Sequence, residues 1–175
     1  VCVEGGVAQG KRPWLGIDAF GEVLDEYPGA GLYLCGDGEL RGDLKTRVTE
    51  LGIEEAVTFL GYGPYEEMPK VYRSGDILIL PSRAEGVPRT VLEAMASGLE
   101  VVVSDLQQVL SMLGPCDRMV ETAEPASFAR AINCTIETNV KVGDTVGDNE
   151  EVDGHRWSET VEWTTATLIS LVKNN

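Results

Sequence analysis

The sequence predicts an α/β fold with a doubly wound parallel sheet, and three observations carry the prediction. Short apolar runs of strand length alternate with segments of helical period along most of the 175 residues. Glycine-bearing turns at Gly5, Gly36 and Gly61 close the first three of those runs. No internal repeat and no linker interrupts the alternation, which is the pattern of βαβ units feeding one sheet. A chain of this length fits one domain with a full core and leaves too little for two.

In chain order, Val1-Cys2-Val3 is the first expected strand, and Glu4 to Arg12 is its glycine-rich turn, ending in two cations. Pro13 then opens a helix, a position where its missing N–H is not required. Ile17, Phe20 and Leu24 give that helix one apolar face, and Pro28-Gly29 ends it. Leu32 to Cys35 is the second strand, closed by Gly36-Asp37-Gly38. The next helix is expected from about Glu39 to Leu51, with Leu40, Leu44, Val48 and Leu51 on one side and Gly52 as its stop. Val57 to Leu60 is the third strand. A short helix bearing Met68, Val71 and Tyr72 leads to Gly75, and Asp76 begins the fourth strand, Ile77 to Leu80. A turn and helix from Glu85 to Gly98 separate it from the fifth, which ends in Val101-Val102-Val103-Ser104-Asp105. Arg118 to Val120 is a short sixth strand, and Pro125 starts a helix carrying Phe128, Ala131 and Ile132. Residues 137–154 are polar, rich in Gly and Asp and without period, which predicts a mobile loop. A last helix would align Trp157, Val161, Leu168 and Val172.

The totals exclude several classes. Twenty-nine acidic against 14 basic residues give a net charge of −15, the opposite of a nucleic-acid footprint. The acidic surface fits either a salt-adapted host or an ordinary acidic cytosolic protein. No apolar run approaches the roughly 20 residues that span a bilayer. The chain starts inside an expected strand with no initiating Met, which reads as a domain taken from a longer protein. Cys2, Cys35, Cys116 and Cys134 form no C-x-x-C pair and read as buried reduced thiols. The sequon Asn133-Cys134-Thr135 falls inside an expected helix, so no glycan is assigned to it.

Chemistry concentrates after the fourth strand. In an open parallel sheet, ligands bind at the carboxyl ends of the strands, where helix N-termini can meet an anion. Glu85 and Glu93, separated by seven residues, stand there and could hold hydroxyl groups. By itself Glu93 is equally a solvated glutamate favoured by the helix dipole, Glu85 a loop carboxylate, and Lys11 a solvated turn cation. No G-x-x-x-x-G-K-[ST] loop, dinucleotide fingerprint, H-E-x-x-H or G-x-S-x-G is present. His155, the single histidine, lies in the polar stretch and is a poor general base.

A resemblance covers nearly the whole chain in order. Glu85-Gly86 through Leu92-Glu93-Ala94-Met95-Ala96 to Gly98 resembles the donor-site signature of retaining GT-B glycosyltransferases of family 4. Gly5-Gly6-Val7 with Lys11, Leu34-Cys35-Gly36-Asp37-Gly38, Phe59-Leu60-Gly61, Asp76 to Ser82, and Arg156-Trp157-Ser158 match further turns of that family. The resemblance implies the C-terminal, donor-binding half of such an enzyme. Residues 1–175 would be a single Rossmann-like nucleotide-sugar-binding domain, with the N-terminal acceptor domain outside this chain.

What that resemblance implies for single residues follows from a sugar linked to a nucleoside diphosphate, UDP or GDP. Glu93 would accept from the ribose hydroxyls, and Glu85 would bind hydroxyls of the transferred sugar. Backbone N–H groups of Gly86 and Val87 would meet the diphosphate, while Pro88 has none to offer. Lys11 would neutralise the departing diphosphate. Arg12 would be a further donor contact if it is not simply a surface cation. Gly36, Asp37, Gly38 and Tyr62 would border the base, unless Tyr62 merely caps the sheet edge.

No metal and no cofactor is implied. The acceptor, a glycan, lipid or small molecule, would be held by the other domain, and this domain alone would not turn over. The expected location is cytoplasmic, free or at the inner face of the membrane. Two departures stand out. Gly6 replaces a common Arg, leaving Arg12, Arg83 and Arg89 as possible substitutes, and Gln107-Gln108 with Ser111 replace a Gly-Gly and a Glu. A decayed nucleotide-sugar-binding module, or a structural domain sharing only the fold, are the alternatives.

Overall fold

The computed structural model describes residues 2–4, 9–86, 89–114 and 117–143. Among these, six strands form one parallel sheet: β1 Cys2–Glu4, β2 Leu32–Cys35, β3 Val57–Gly61, β4 Ile77–Leu80, β5 Glu100–Ser104 and β6 Arg118–Val120. Their order is β3-β2-β1-β4-β5-β6. The chain thus winds outward from β1 in one direction, returns, and winds outward from β4 in the other. β1 and β4 are neighbours at the reversal, with Cys2 opposite Leu78 and Val3 opposite Ile79. The predicted doubly wound parallel sheet is the observed one.

Among the described residues five α-helices cover the two faces: α1 Pro13–Glu26, α2 Arg41–Leu51, α3 Met68–Arg73, α4 Arg89–Ala96 and α5 Pro125–Gly143. β4 is buried along its whole length because alternate side chains enter opposite layers. Ile77 and Ile79 pack with Leu15, Phe20 and Val23 of α1, Leu44 and Val48 of α2, and Phe128 and Ile132 of α5. Leu78 and Leu80 join Tyr72 of α3 and Val91 and Ala94 of α4 on the other side. Burying one such aliphatic side chain contributes about 1.5–3 kcal/mol, so the continuous apolar run at 77–80 is required by two-sided burial. Among the described residues, no helix is long and apolar enough to cross a membrane.

Two expectations need correction. The mobile loop foreseen at 137–154 does not begin at Glu137, because α5 continues to Gly143. Its buried positions Phe128, Ala129, Ile132 and Thr135 keep a helical stripe against the core, and Ile136 packs at its margin. Thr138 Oγ1 also donates to the Cys134 carbonyl at 2.7 Å. Residues 144–154 and the expected last helix lie outside the described residues. The second correction concerns Cys134, which is free and exposed. It stands two residues beyond Ile132, about 200° round the helix, and so turns away from the core. Cys35 is buried and reduced as expected; the side chain of Cys2, and Cys116, lie outside the described residues.

At the amino end of β5, far along the strand from its carboxyl end, Glu100 meets Asp117. Asp117 is nine-tenths buried and accepts from the Val101 N–H at 2.8 Å and the Gly114 N–H at 2.6 Å. Burial first, then the Asp117 charge and its hydrogen bond, push the Glu100 carboxyl above its ordinary value, with Arg118 opposing. A raised folded-state value means that the folded chain holds this proton where the unfolded chain has lost it. Stability from this group is therefore full below the unfolded carboxylate value and falls as pH rises through the raised one. Glu100→Gln is expected to stabilise the fold at neutral pH and to have little effect below about pH 4; urea denaturation at the two pH values measures the difference.

Candidate functional site

At the reversal between β1 and β4 lies the crevice position, at the carboxyl ends of the strands, where doubly wound sheets hold ligands. Two turns meet there. One follows β1 and ends in a 3-10 turn, Gln9–Lys11; the other follows β4 from Pro81 to Gly86. Their backbones join directly, since the Arg83 N–H donates to the Gly10 carbonyl at 2.9 Å. Lys11 Nζ donates to Glu85 Oε1 at 2.6 Å, linking residues 74 apart in sequence. The Glu85 side chain is 12% exposed and that of Lys11 35%, so the pair is sheltered on the carboxylate side and open on the ammonium side.

Arg12 takes a different place from the surface cation the sequence suggested. It adopts a left-handed backbone, φ 48° and ψ 48°, in a region unfavourable by roughly 1–2 kcal/mol for a side-chain-bearing residue. Its guanidinium offsets this. Nε donates to the Pro81 carbonyl at 2.8 Å, and Nη2 donates to the Ser82 carbonyl at 3.0 Å and Ser104 Oγ at 3.1 Å. Burial, and secondarily the Arg83 charge, press its pKa downward, but an arginine stays charged at neutral pH. Arg12 therefore ties the first turn to the ends of β4 and β5 and fixes where Lys11 and Glu85 stand. Arg83 and Arg89 are exposed.

Glu93 lies on the second turn of α4. Its Oε2 accepts from Tyr72 Oη at 3.1 Å and its Oε1 from Tyr65 Oη at 2.8 Å. Tyr72 is fully buried, whereas Tyr65 is 59% exposed. A third support comes from beyond β5, where Gln108 Nε2 donates to the Glu85 carbonyl at 2.6 Å. Gln108 was legible only as a departure from the family pattern; Tyr72 was legible only as a position of a short helix, and Tyr65 carried no signal.

The remaining candidates form a second cluster at the ends of β2 and β3. The Gly36 N–H donates to the Gly61 carbonyl at 2.9 Å, and both residues have positive φ, 109° and 70°. A Cβ on Gly61 would be strained by its positive φ and would come within 3.3 Å of Arg41 Nη1, which would have to shift by a few tenths of an ångström. Asp37 closes its own turn: Oδ1 accepts from the Gly38 N–H at 2.8 Å and Oδ2 from Arg41 Nη1 at 3.0 Å. Tyr62 is 78% exposed and projects from the same turn. Gly86 is exposed at the approach to α4. Gly6, Val87, Pro88, His155 and Arg156 to Ser158 lie outside the described residues.

Comparison with known proteins gives the family and the fold. The family model described as glycosyl transferases group 1 matches residues 4–138. Mannosylfructose-phosphate synthase of Agrobacterium fabrum is 39% identical over 112 residues, covering 59% of this chain and 25% of that protein. D-inositol 3-phosphate glycosyltransferase of Nocardia farcinica is 33% identical over 135 residues, 72% of this chain and 30% of that protein. The chain thus spans about a quarter to a third of the length of these curated relatives. The C-terminal domain of a group 1 glycosyl transferase from Francisella tularensis superposes with a TM-score of 0.71 at 23% identity, covering 78% of this chain and 74% of that one. Anabaena HepE, solved with UDP-glucose, gives 0.72 at 23% identity over 97% of this chain and 48% of that one. The chain belongs to the glycosyl transferases group 1 family and has the fold of a GT-B C-terminal domain.

Proposed function

We propose that this domain binds a nucleoside-diphosphate sugar, UDP- or GDP-linked, and serves as the donor half of a retaining glycosyltransferase. The single observation that carries the reading is the Lys11–Glu85 contact at 2.6 Å across the β1/β4 crevice. It brings a cation for the leaving diphosphate and a carboxylate for sugar hydroxyls to one point. Glu93 is the ribose acceptor, and Gly86 offers its backbone N–H to the diphosphate. The turn pair of Gly36, Asp37 and Gly38 with Gly61 and Tyr62 borders the base. Arg12 acts chiefly by fixing the turn, with its remaining N–H groups toward the diphosphate. Family membership and relatives that are glycosyltransferases support the reading, as do structural neighbours solved with UDP and sugar.

In this reading the acceptor hydroxyl, brought by a second domain, is held close to the anomeric carbon while the diphosphate leaves toward Lys11. Charge neutralisation falls to Lys11, so no metal is assigned. Acceptor binding needs the other domain, and the 175 residues alone bind donor without turnover. The enzyme works in the cytoplasm or at the inner membrane face. Titration calorimetry with UDP, GDP and ADP is expected to show saturable binding of UDP or GDP that is unchanged by a chelator. Absence of heat and of thermal stabilisation with every nucleoside diphosphate would falsify the donor reading.

A further inference from the structure

We infer that Glu93 is held by a two-tyrosine clamp with one fixed arm and one exchangeable arm: Tyr72 positions the carboxylate, and Tyr65 keeps the place of a ribose hydroxyl. The inference rests on the donor reading above and adds how the ribose subsite is built and opened.

The two hydrogen bonds look alike in length, 3.1 Å for Tyr72 and 2.8 Å for Tyr65, but their surroundings differ. Tyr72 is on α3 and wholly buried, in the same apolar cluster as Leu78, Leu80 and Val91. Its ring cannot leave without opening that cluster. A tyrosine buried this deeply needs a partner for its hydroxyl, and the carboxylate Oε2 supplies it. Rotation of Glu93 away from this position would break that bond to a ring that cannot follow, so Tyr72 favours one orientation of the carboxylate. Tyr65 approaches from the other side. It begins the 3-10 turn Tyr65–Glu67, which directly follows the Gly61–Tyr62 turn, and its ring is more than half exposed. Its hydroxyl reaches Glu93 Oε1 from solvent, the direction from which a ribose must come.

The chemistry of the three groups then fixes their parts. An ionised carboxylate only accepts, through about four lone-pair sites. Ribose 2′- and 3′-hydroxyls and tyrosine hydroxyls are the same kind of donor to it. Tyr72 can stay while a ribose binds, because its bond occupies the far oxygen. Tyr65 competes with the ribose for Oε1 and has water as an alternative partner, so it is the arm that yields. The carboxylate is kept oriented and satisfied in both states, and the ligand meets an acceptor already aimed at it, which lowers the ordering penalty of binding.

The two arms make opposite predictions for the same chemical change. Tyr72→Phe is expected to weaken the nucleoside diphosphate that the chain binds by about tenfold, the worth of one hydrogen bond to a charged group. Tyr65→Phe is expected to tighten it by about two- to fivefold, by removing a competitor whose exposed hydroxyl exchanges the carboxylate for water at small net cost. Both effects should vanish for the 2′,3′-dideoxyribose analogue of that nucleotide, which has no hydroxyl for Glu93. Calorimetry on wild type and both variants with the two nucleotides reads this directly, with urea midpoints to show that each variant is folded.

Equal weakening of both nucleotides in Tyr72→Phe would mean general loosening and overturn the fixed arm. Weaker binding in Tyr65→Phe would make Tyr65 a ligand contact and overturn the exchangeable arm. The exposed Tyr65 variant keeps the test open even if Tyr72→Phe fails to fold. Wild-type chain that binds no nucleoside diphosphate removes the donor reading itself and the clamp with it. Wild-type binding with unmoved variants removes the clamp alone.

Discussion

Glu93→Ala is expected to weaken nucleoside-diphosphate binding by about 10- to 100-fold. A carboxylate that accepts from a ribose makes charge-assisted bonds, each worth about 1.5–3 kcal/mol, and a factor of ten is about 1.4 kcal/mol. The same substitution has a second consequence. Tyr72 Oη, buried in the apolar layer, loses the carboxylate acceptor that lies at 3.1 Å, which costs about 1–3 kcal/mol of stability. Binding and stability must therefore be separated. Calorimetry gives Kd, and urea denaturation gives the folding free energy. Glu93→Gln keeps one oxygen acceptor for the tyrosines and removes the charge. Its fold is expected to be less disturbed than that of Glu93→Ala, with nucleotide binding still weakened. Unchanged Kd in a folded Glu93→Ala chain would remove Glu93 from the site.

The second large effect is expected at Lys11, and it concerns rate more than affinity. In the protein carrying both donor and acceptor domains, Lys11→Ala is expected to lower kcat by about 10²- to 10³-fold, the size of losing one preorganised group that stabilises developing negative charge. Glu85→Gln should also reduce transfer, by loosening the sugar hydroxyls and by removing the partner of Lys11. The Lys11 side chain is 35% exposed but that of Glu85 only 12%, so removing the cation leaves a sheltered carboxylate and should cost about 1–3 kcal/mol of folding stability. A kinetic defect in a chain that urea denaturation shows to remain folded under the assay conditions is thus the signature of a role in catalysis. Steady-state transfer assays decide the matter: no transfer by the wild-type protein would leave a decayed binding module, wild-type transfer lost in both variants excludes it, and full activity in both variants would remove Lys11 and Glu85 from catalysis.

Much of the frame was legible because it depends on local pattern. The run Ile77 to Leu80 had to be a strand between two layers, and Pro13, Gly36 and Gly61 marked a helix start and two turns through the conformations their side chains allow or lack. The glutamates at 85 and 93 could be placed after β4 for the same reason. Other features escaped. An arginine before Pro13 gives no hint of a left-handed backbone, since residues before proline favour extended conformations. It becomes tolerable only because carbonyls 69 and 70 residues away accept its guanidinium. Cys134 seemed apolar and core-bound until the phase of α5 turned it outward. The polar composition after Glu137 suggested a loop, but helix propagation from a well-packed stripe carried α5 on to Gly143.

The sequence alone determined the order of strands and helices, the turns that end them, and the residue types available at the carboxyl edge of the sheet. These follow from periodicity and backbone preference, which act over a few neighbours. Only the tertiary structure decided that Lys11 meets Glu85, that Arg12 braces the crevice, and that Tyr65 and Tyr72 share Glu93. Those contacts join residues 21 to 92 apart in the chain. No local signal encodes them, because they exist only once the reversal at β1 and β4 has brought separate turns to one place.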